Sequence, residues 1–467
     1  MAPAANKLPN LAGSLALVTV LYCLFVFGAG EQLFRDSDTG WHIRTGEWIL
    51  DHRTLPRTDL YSFSKPGEPW FAWEWGSDVL MGIANRQIGL GGVVALYAAA
   101  IAICTYLSVT LAFSAGADFL STALMSIPLV TTASLHWLAR PHVLGWVFLL
   151  TQLLLIQTYQ SRRWFVPILI AAVWTNFHAS FFLAVAIPVV FAVFRKSRDL
   201  ALVSLGCALA TLCNPYGWKL HSHVAQYLLD SDLTSNIAEF QSFNFHDKQA
   251  TWIVVALLVT MAGAAYAALE RKGEHALLMF ALVFGGLRSA RVLPLMALAG
   301  LPLAVAAISR RVRPHFTGFF QESDGLHKID RQLSRTTGLA LSLLLVFIAS
   351  PASAKGFASS SFPVIAADKI PAGARLLSND HFGGYLIYRF RGDLKVFFDG
   401  RSDYYGADFM KRYLTLSQVR PGWKEILSEY RFTHALLPPD SALAAALEDR
   451  GWRRMYTDKT AVLLEHN

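Results

Sequence analysis

Two carboxylates, Asp36 and Asp38, stand one residue apart directly after an apolar run near the start of the chain. An Asp-x-Asp pair can ligate a hard divalent cation such as Mg²⁺ or Mn²⁺, or it can supply a general base. The alternative is a helix start, in which Ser37, Asp38 and Thr39 cap the helix that follows. Because the motif is short, the sequence leaves the chemical and the capping interpretations open.

Three arginines in short turns between apolar segments, Arg140, Arg288 and Arg291, form a second group of candidates. A guanidinium matches the oxygens of a phosphate or pyrophosphate group with two parallel hydrogen bonds. The alternatives are contacts with lipid phosphates and ion pairs with loop carboxylates. Since all three are predicted on the same membrane face as Asp36 and Asp38, we expect them to bind a donor phosphate.

Further polar side chains are candidates for substrate binding. Glu74 stands among three tryptophans, where burial would raise the pKa of its carboxyl and make it an acid or a second ligand; a solvated position is the alternative. For the histidines a structural hydrogen bond is the favoured interpretation, and Asp399-Gly400 can be a simple turn. The candidate substrate-binding residues are His42, Glu74, His142, Asn176, His178, Asp399 and Arg401.

The composition restricts the class of protein that holds these residues. The chain has 467 residues, of which 54% are hydrophobic and 16% charged, against roughly 25% charged residues in soluble domains. Together with apolar runs long enough to cross a bilayer, this excludes a soluble enzyme and a disordered protein. The net charge of +8 is concentrated in short loops, which indicates cytosolic loop charge and no nucleic-acid partner. The four cysteines lack metal-type spacing.

The apolar runs predict about eleven transmembrane helices. The first run, 11–30, follows Lys7, which places the N-terminus in the cytosol. The runs 164–194 and 276–308 exceed one ordinary span of ~20 residues, are interrupted by polar residues and have basic residues at both ends, so each is predicted to be a hairpin of two helices. The other predicted spans are 92–114, 119–135, 143–159, 200–213, 252–269 and 338–350.

This topology predicts a multi-pass α-helical membrane domain over 1–351 and a soluble α/β domain over 352–467. The outer loop 31–91 is long for a connector, so we expect it to be functional, and 310–335 is predicted to be a cytosolic linker. Strand and helix signals alternate in the C-terminal domain. The predicted strands are 374–378, 395–398, 433–437, 454–458 and 460–464, and the predicted helices are 383–390, 407–417, 422–430 and 441–450.

The order of the motifs resembles that of the integral-membrane GT-C glycosyltransferases, in particular a group of bacterial members with a C-terminal Asp-Gly-Arg motif. The resemblance extends from about residue 11 to residue 464. It is carried by Asp36-Ser-Asp38-Thr-Gly-Trp-His42, Glu74-Trp75, Arg140-Pro-His142, Trp174-Thr-Asn176-Phe-His178, Asn214-Pro-Tyr-Gly217 and Asp399-Gly-Arg401.

The resemblance implies a sugar donor linked to polyprenyl phosphate, an active site at the outer face of the bacterial inner membrane, and a catalytic carboxylate in the first outer loop. That role falls on Asp36 or Asp38, and Asp36 is preferred because it is closer to the preceding membrane helix. The implied reaction is an inverting transfer to a glycan, lipid or protein acceptor, which the periplasmic C-terminal domain positions. A divalent cation on Asp36 and Asp38 is an optional part of this expectation.

Two other classes of function are weighed against this one. A transporter or flippase for lipid-linked saccharides predicts functional polar residues near the membrane midplane, and the predicted spans contain almost none. A non-catalytic membrane scaffold with an outer binding domain predicts that Asp36 and Asp38 point away from any cavity.

Overall fold

The computed structural model describes residues 7–248 and 250–466 and is mostly helical. Of the described helices, four are long and apolar enough to cross a membrane: Leu90–Ser114, Phe119–His136, Ala250–Leu269 and Ala290–His315. The predicted number of eleven crossings therefore stays a prediction. The apolar helices are α1 (Leu11–Leu21), α5 (Leu90–Ser114), α6 (Phe119–Ala133), α7 (Pro141–Gln157), α8 (Phe165–Trp174), α9 (Leu183–Arg195), α10 (Arg198–Ala210), α13 (Ala250–Leu269), α14 (Gly273–Arg288), α16 (Leu301–Val312) and α18 (Thr337–Ser353).

Both long apolar runs are divided into two helices where the sequence predicted a break. After α8, the Asn176 amide donates hydrogen bonds to the carbonyls of Ala172 and Cys213, at 2.9 Å each, and so satisfies carbonyls at the helix end. After α14, Ser289 adopts extended backbone (φ −145°, ψ 125°) before the next helical segment begins at Ala290. Polar side chains and extended backbone therefore end these helices on the side of the bundle where the candidate residues lie.

The first loop forms three helices, α2 (Ala29–Gln32), α3 (Asp38–His52) and α4 (Trp75–Ile88). Helix α3 starts without a side-chain cap from Ser37, which corrects the capping interpretation. Instead, the Asp36 carboxylate accepts the backbone N–H of Asp38 at 2.8 Å. Helices α3 and α4 can pack closely because Gly46 has no side chain. A Cβ at this position would lie 1.8 Å from the Asp78 carbonyl oxygen. This close packing fixes α3, and with it both aspartates, on α4.

The C-terminal region contains a four-stranded sheet with the strand order β1-β2-β4-β3. Strands β1 and β2 are parallel, and the other two pairs are antiparallel. The strands are β1 (Leu376–Ser378), β2 (His434–Leu437), β3 (Arg453–Thr457) and β4 (Val462–Glu465), and the helices around them are α20 (Asp380–Arg389), α21 (Ser402–Ser417), α22 (Trp423–Tyr430) and α23 (Ala442–Glu448).

Two predicted segments differ from the structure. The segment 395–398 is not a strand of this sheet, because Val396 pairs with the first loop: its N–H donates to the Tyr61 carbonyl at 2.9 Å, and its carbonyl accepts from Phe63 N–H at 3.1 Å. The predicted linker 310–335 contains a helix, α17 (Thr317–Asp330). The remaining short helices are α11 (Trp218–Leu229), α12 (Ser231–Thr234), α15 (Leu293–Leu295) and α19 (Val364–Ala367).

Candidate active site

A cavity of about 850 Å³ lies where the first loop, the ends of several apolar helices and the C-terminal region meet. Its size falls within the range of small-molecule sites in proteins. It brings together residues from segments that are more than 300 positions apart in the sequence. The charged and histidine side chains that line it include Arg35, Asp36, Asp38, Glu74, His136, Arg140, His142, His178, Glu239, Arg291, Asp380 and Asp403.

Arg140 is the centre of the ion-pair network in this cavity. Its Nη1 contacts Asp36 Oδ2 at 2.8 Å and Glu239 Oε1 at 2.9 Å, and its Nη2 contacts Asp38 Oδ2 at 2.9 Å. These carboxylates raise the pKa of Arg140 well above its ordinary value, against the effect of burial. The guanidinium thus stays charged and holds the two loop aspartates in place.

Arg291 joins the same network, whereas Arg288 does not. Arg291 Nε donates to Glu239 Oε2 at 2.6 Å, and the Arg291 side chain is 34% exposed. Arg288, the last residue of α14, is exposed and is not among the residues that line the cavity. The structure therefore places two of the three predicted phosphate ligands, Arg140 and Arg291, in one site and leaves Arg288 outside it. We name Arg140, Glu239 and Arg291 the helix-end wall.

The two aspartates differ in their surroundings. Both oxygens of Asp36 accept a hydrogen bond, one from the Asp38 backbone and one from Arg140. Asp38 is more deeply buried, at 8% exposure against 23% for Asp36, and only its Oδ2 contacts Arg140. Burial raises the pKa of Asp38 to about 7, with Arg140 opposing the rise. A carboxyl with a pKa near neutrality is suited to accept a proton at physiological pH.

The predicted divalent cation does not fit the arrangement of these oxygens. Three of the four carboxylate oxygens of Asp36 and Asp38 already contact Arg140 or a backbone N–H. Within residues 7–248 and 250–466, no three His, Cys, Asp or Glu groups are placed to hold a metal ion. The oxygens of Asp36 and Asp38 are thus mostly engaged within the protein, and metal dependence of the reaction stays a prediction.

Glu74 lines the cavity and also belongs to a second cluster, which extends into the protein interior to His42 and Asp78. His42 Nδ1 is hydrogen-bonded to Asp78 Oδ1 at 2.6 Å, and His42 Nε2 lies 3.9 Å from Glu74 Oε2. On the other side, His178 Nδ1 accepts the Ser180 N–H at 3.2 Å, which leaves Nε2 as the protonated nitrogen, 3.5 Å from Glu74 Oε1. Burial raises the pKa of Glu74 to about 8 and lowers that of His178 to about 3. At neutral pH, Glu74 is thus a hydrogen-bond donor.

The other candidates divide between the cavity and the protein interior. His142 lines the cavity and donates Nε2–H to the His136 carbonyl at 2.9 Å. His42 is buried behind Glu74 and does not line the cavity. Asn176 also lies outside it, where its Oδ1 accepts the indole N–H of Trp75 at 2.9 Å. Asn176 therefore has a structural contact in place of the predicted contact with substrate.

Asp399 and Arg401 do not present their charges to the cavity. Arg401 Nε and Nη2 donate to the two oxygens of Asp399 at 2.8 and 2.7 Å, and Nη1 donates to Asp59 at 2.7 Å. The side chains of all three residues have 0% exposure. The guanidinium also lies 4.8 Å from the Trp70 ring centroid. Although both residues border the cavity, their charged groups form an internal ion-pair cluster with Asp59, which corrects the predicted role in substrate binding.

Several residues of the site were not assigned from the sequence. Glu239 bridges Arg140 and Arg291, and this contact joins two turns that are about 150 residues apart in the chain, so no local pattern indicates it. Asp78 lies four positions after Glu74, on the same face of α4, and this spacing is the signal that identifies it. Asp59 gave no signal, because its partner Arg401 is 342 positions away.

Three solved structures share the fold of this chain. The crystal structure of the apo oligosaccharyltransferase from Archaeoglobus fulgidus has a TM-score of 0.57 at 11% identity, covering 91% of this chain and 69% of that chain. The oligosaccharyltransferase AglB from the same organism, in complex with an inhibitory peptide and a dolichol-phosphate, has a TM-score of 0.58 at 11% identity with the same coverage.

The third structure is ArnT from Cupriavidus metallidurans bound to undecaprenyl phosphate. Its TM-score is 0.53 at 14% identity, covering 96% of this chain and 97% of that chain. No family model matches the chain, and no curated protein matches it. At these identities the likeness shows the fold. The resemblance seen in the sequence motifs is confirmed at that level, and the membrane location agrees with the apolar helices.

Proposed function

We propose that the protein is a membrane glycosyltransferase that moves a sugar from a polyprenyl-phosphate-linked donor to an acceptor hydroxyl with inversion. One observation carries the proposal: Asp36, Asp38, Arg140 and Arg291 line a single large cavity at the end of an apolar helical bundle. The fold supports it, since related folds were solved with dolichol-phosphate and undecaprenyl phosphate. We propose the bacterial cytoplasmic membrane as its location, with residues 1–351 in the membrane part and 352–467 on the outer side.

In the proposed reaction, Asp38 accepts the proton of the acceptor hydroxyl. The acceptor oxygen then forms a bond to the anomeric carbon while the bond from that carbon to the phosphate oxygen breaks, through an oxocarbenium-like transition state. Asp38 is chosen over Asp36, the residue preferred from the sequence, because one of its oxygens has no hydrogen-bond donor and its pKa lies near 7. Asp36 has both oxygens engaged.

The helix-end wall receives the leaving group. Polyprenyl phosphate departs as an anion at neutral pH, so no separate acid has to protonate it. Arg291 is the most exposed charge of this wall, and together with Arg140 it can stabilise the phosphate as negative charge develops. Glu74, neutral at physiological pH, can donate a hydrogen bond to the sugar or phosphate. The scaffold alternative expected Asp36 and Asp38 to point away from any cavity, whereas both line one.

Transfer by the purified protein tests the proposal. A panel of synthetic polyprenyl-phosphate sugars is incubated with wild type, Asp38→Asn and Asp36→Asn, with and without a chelator, and release of polyprenyl phosphate is measured. Asp51→Asn is the matched control, because Asp51 lies on the same helix but is 63% exposed and pairs with Arg86. Release by wild type and the control, with loss in Asp38→Asn, supports the proposal. Donor binding without release in the wild type would favour the transporter.

A further inference from the structure

The turn Asp399-Gly400-Arg401 lies against the residue that we propose as the base. A Cβ built on Gly400 would be 1.8 Å from Asp38 Oδ1 and 2.9 Å from Asp38 Oδ2. Cβ atoms in proteins do not approach other heavy atoms this closely. The Asp38 carboxylate therefore occupies the space that the side chain of any other residue at position 400 would need.

The turn itself is held in place by the internal ion-pair cluster. Arg401 binds both oxygens of Asp399 and one oxygen of Asp59, and all three side chains are fully buried. Asp59 is fixed in turn by the first loop, since it accepts the backbone N–H groups of Tyr61 and Ser62. Gly400 is thus flanked by Asp399 and Arg401, and neither can shift without breaking this buried ion-pair cluster. Breaking such a cluster leaves a buried charge without its partner, which costs free energy.

The close approach continues on the other side of Asp38. A Cβ on Gly384, in α20, would lie 2.2 Å from the Ser37 carbonyl oxygen, and a Cβ on Gly40, in α3, would lie 2.1 Å from the Gly384 carbonyl oxygen. Helices α3 and α20 therefore meet backbone to backbone directly beside Asp38. The C-terminal region surrounds this aspartate with main-chain atoms from two separate segments.

We infer that the Asp399-Gly400-Arg401 turn positions Asp38 for proton transfer: Gly400 leaves room for the carboxylate, and Arg401 holds the turn through Asp399 and Asp59. This inference rests on the proposed function, in which Asp38 accepts the proton of the acceptor. Gly400 and Arg401 are then positioning residues that act through Asp38. It follows that the C-terminal region is part of the catalytic machinery, in addition to any part it has in binding the acceptor.

Turnover of the full-length protein carrying Gly400→Ala tests the positioning. The added methyl group displaces the carboxylate, and a misplacement of about 1 Å at a reacting group lowers turnover by about 100-fold. Binding of undecaprenyl phosphate stays at the wild-type level. The acid limb of the pH–rate profile moves to lower pH, because a displaced Asp38 is better hydrated. Gly325→Ala in α17 is the control, since no atom lies within 4 Å of its built Cβ.

Thermal unfolding provides a measurement that is independent of activity. Gly400→Ala lowers the unfolding temperature in the wild-type background but not in the Asp38→Ala background, where the clashing carboxylate is absent. If Gly400→Ala lowers the unfolding temperature equally in both backgrounds, the positioning inference is wrong and the proposed function is unaffected. The same holds if the wild type is active and the Gly400→Ala variant is equally active. A wild type that neither binds nor turns over any polyprenyl-phosphate sugar would overturn the proposed function and with it the catalytic role of the turn.

Discussion

The helix-end wall and the Asp399-Gly400-Arg401 turn both contain an arginine bound by two or more carboxylates, yet they differ in burial. In the wall, Arg140 is 15% exposed and Arg291 34% exposed, and both line the cavity. In the turn, Arg401 and both of its carboxylate partners are fully buried. An arginine–carboxylate motif thus faces a cavity in one region, where we propose a ligand site, and is enclosed in the protein interior in the other, and burial distinguishes the two.

The largest effect that tests this comparison is expected at Arg401. Replacement by alanine leaves Asp59 and Asp399 buried without their cation, which costs about 3–5 kcal/mol in the free energy of unfolding. We expect the Arg401→Ala variant to unfold at a much lower temperature or to fail to accumulate in membranes. Differential scanning calorimetry of the purified variant measures its unfolding temperature. A variant with wild-type unfolding temperature and weakened phosphate binding would place Arg401 in the ligand site instead.

The next largest effect is expected at Asp38. Asp38→Asn keeps the shape of the side chain but removes its ability to accept a proton, so turnover falls by about 10²–10⁴-fold. The binding constant for undecaprenyl phosphate changes far less, because Arg291 is untouched. Steady-state transfer and equilibrium binding are measured on the same preparation. If Asp36→Asn shows the larger loss of turnover, the base is Asp36 and the sequence-based preference is right.

A smaller effect is expected from the arginine of the wall that is most exposed. Arg291→Ala removes a charged donor from a partly solvated position, and we expect undecaprenyl phosphate to bind about tenfold more weakly. Arg288→Ala is the matched control, since Arg288 is three residues earlier, at the end of α14, and lies exposed outside the cavity. Unfolding temperatures are expected to stay close to wild type for both. Equal weakening in the two variants would show that the effect is a general loss of surface charge.

The smallest effect concerns the pH dependence of turnover. With Asp38 required as carboxylate and Glu74 required as neutral acid, the rate rises as pH increases through about 7 and falls through about 8. Glu74→Gln keeps a neutral donor at all pH values, so it retains most activity and loses the alkaline limb. An unchanged alkaline limb in this variant would show that Glu74 is not the group whose ionisation lowers the rate.

The positions of the apolar helices and their breaks could be predicted because both depend on local sequence. Asn176 ends α8 through bonds to nearby carbonyls, and the interruption of the run 276–308 was visible as a change in composition. Asp36, Asp38 and Arg140 could be grouped because each follows or precedes an apolar run at the same predicted membrane face. For the same reason, Glu74, His142 and His178 could be assigned to this side of the molecule.

What the sequence could not provide depends on contacts between distant segments. Arg288 and Arg291 are three residues apart, but a 3₁₀ turn between Ala290 and Val292 directs only Arg291 to Glu239. The segment 395–398 is extended as predicted, yet it pairs with the first loop because Tyr61 supplies a carbonyl 335 positions earlier. The burial of Arg401 follows from Asp59, which no local pattern connects to it.

A structure of the protein with undecaprenyl phosphate bound tests the central claim most directly. We predict that the phosphate lies in the cavity, with its oxygens within hydrogen-bonding distance of Arg140 and Arg291 and with the oxygen that carries the sugar in the donor directed toward Asp38. A phosphate bound away from these arginines, with the cavity closed to it, would contradict the proposal that this cavity is a glycosyltransferase active site.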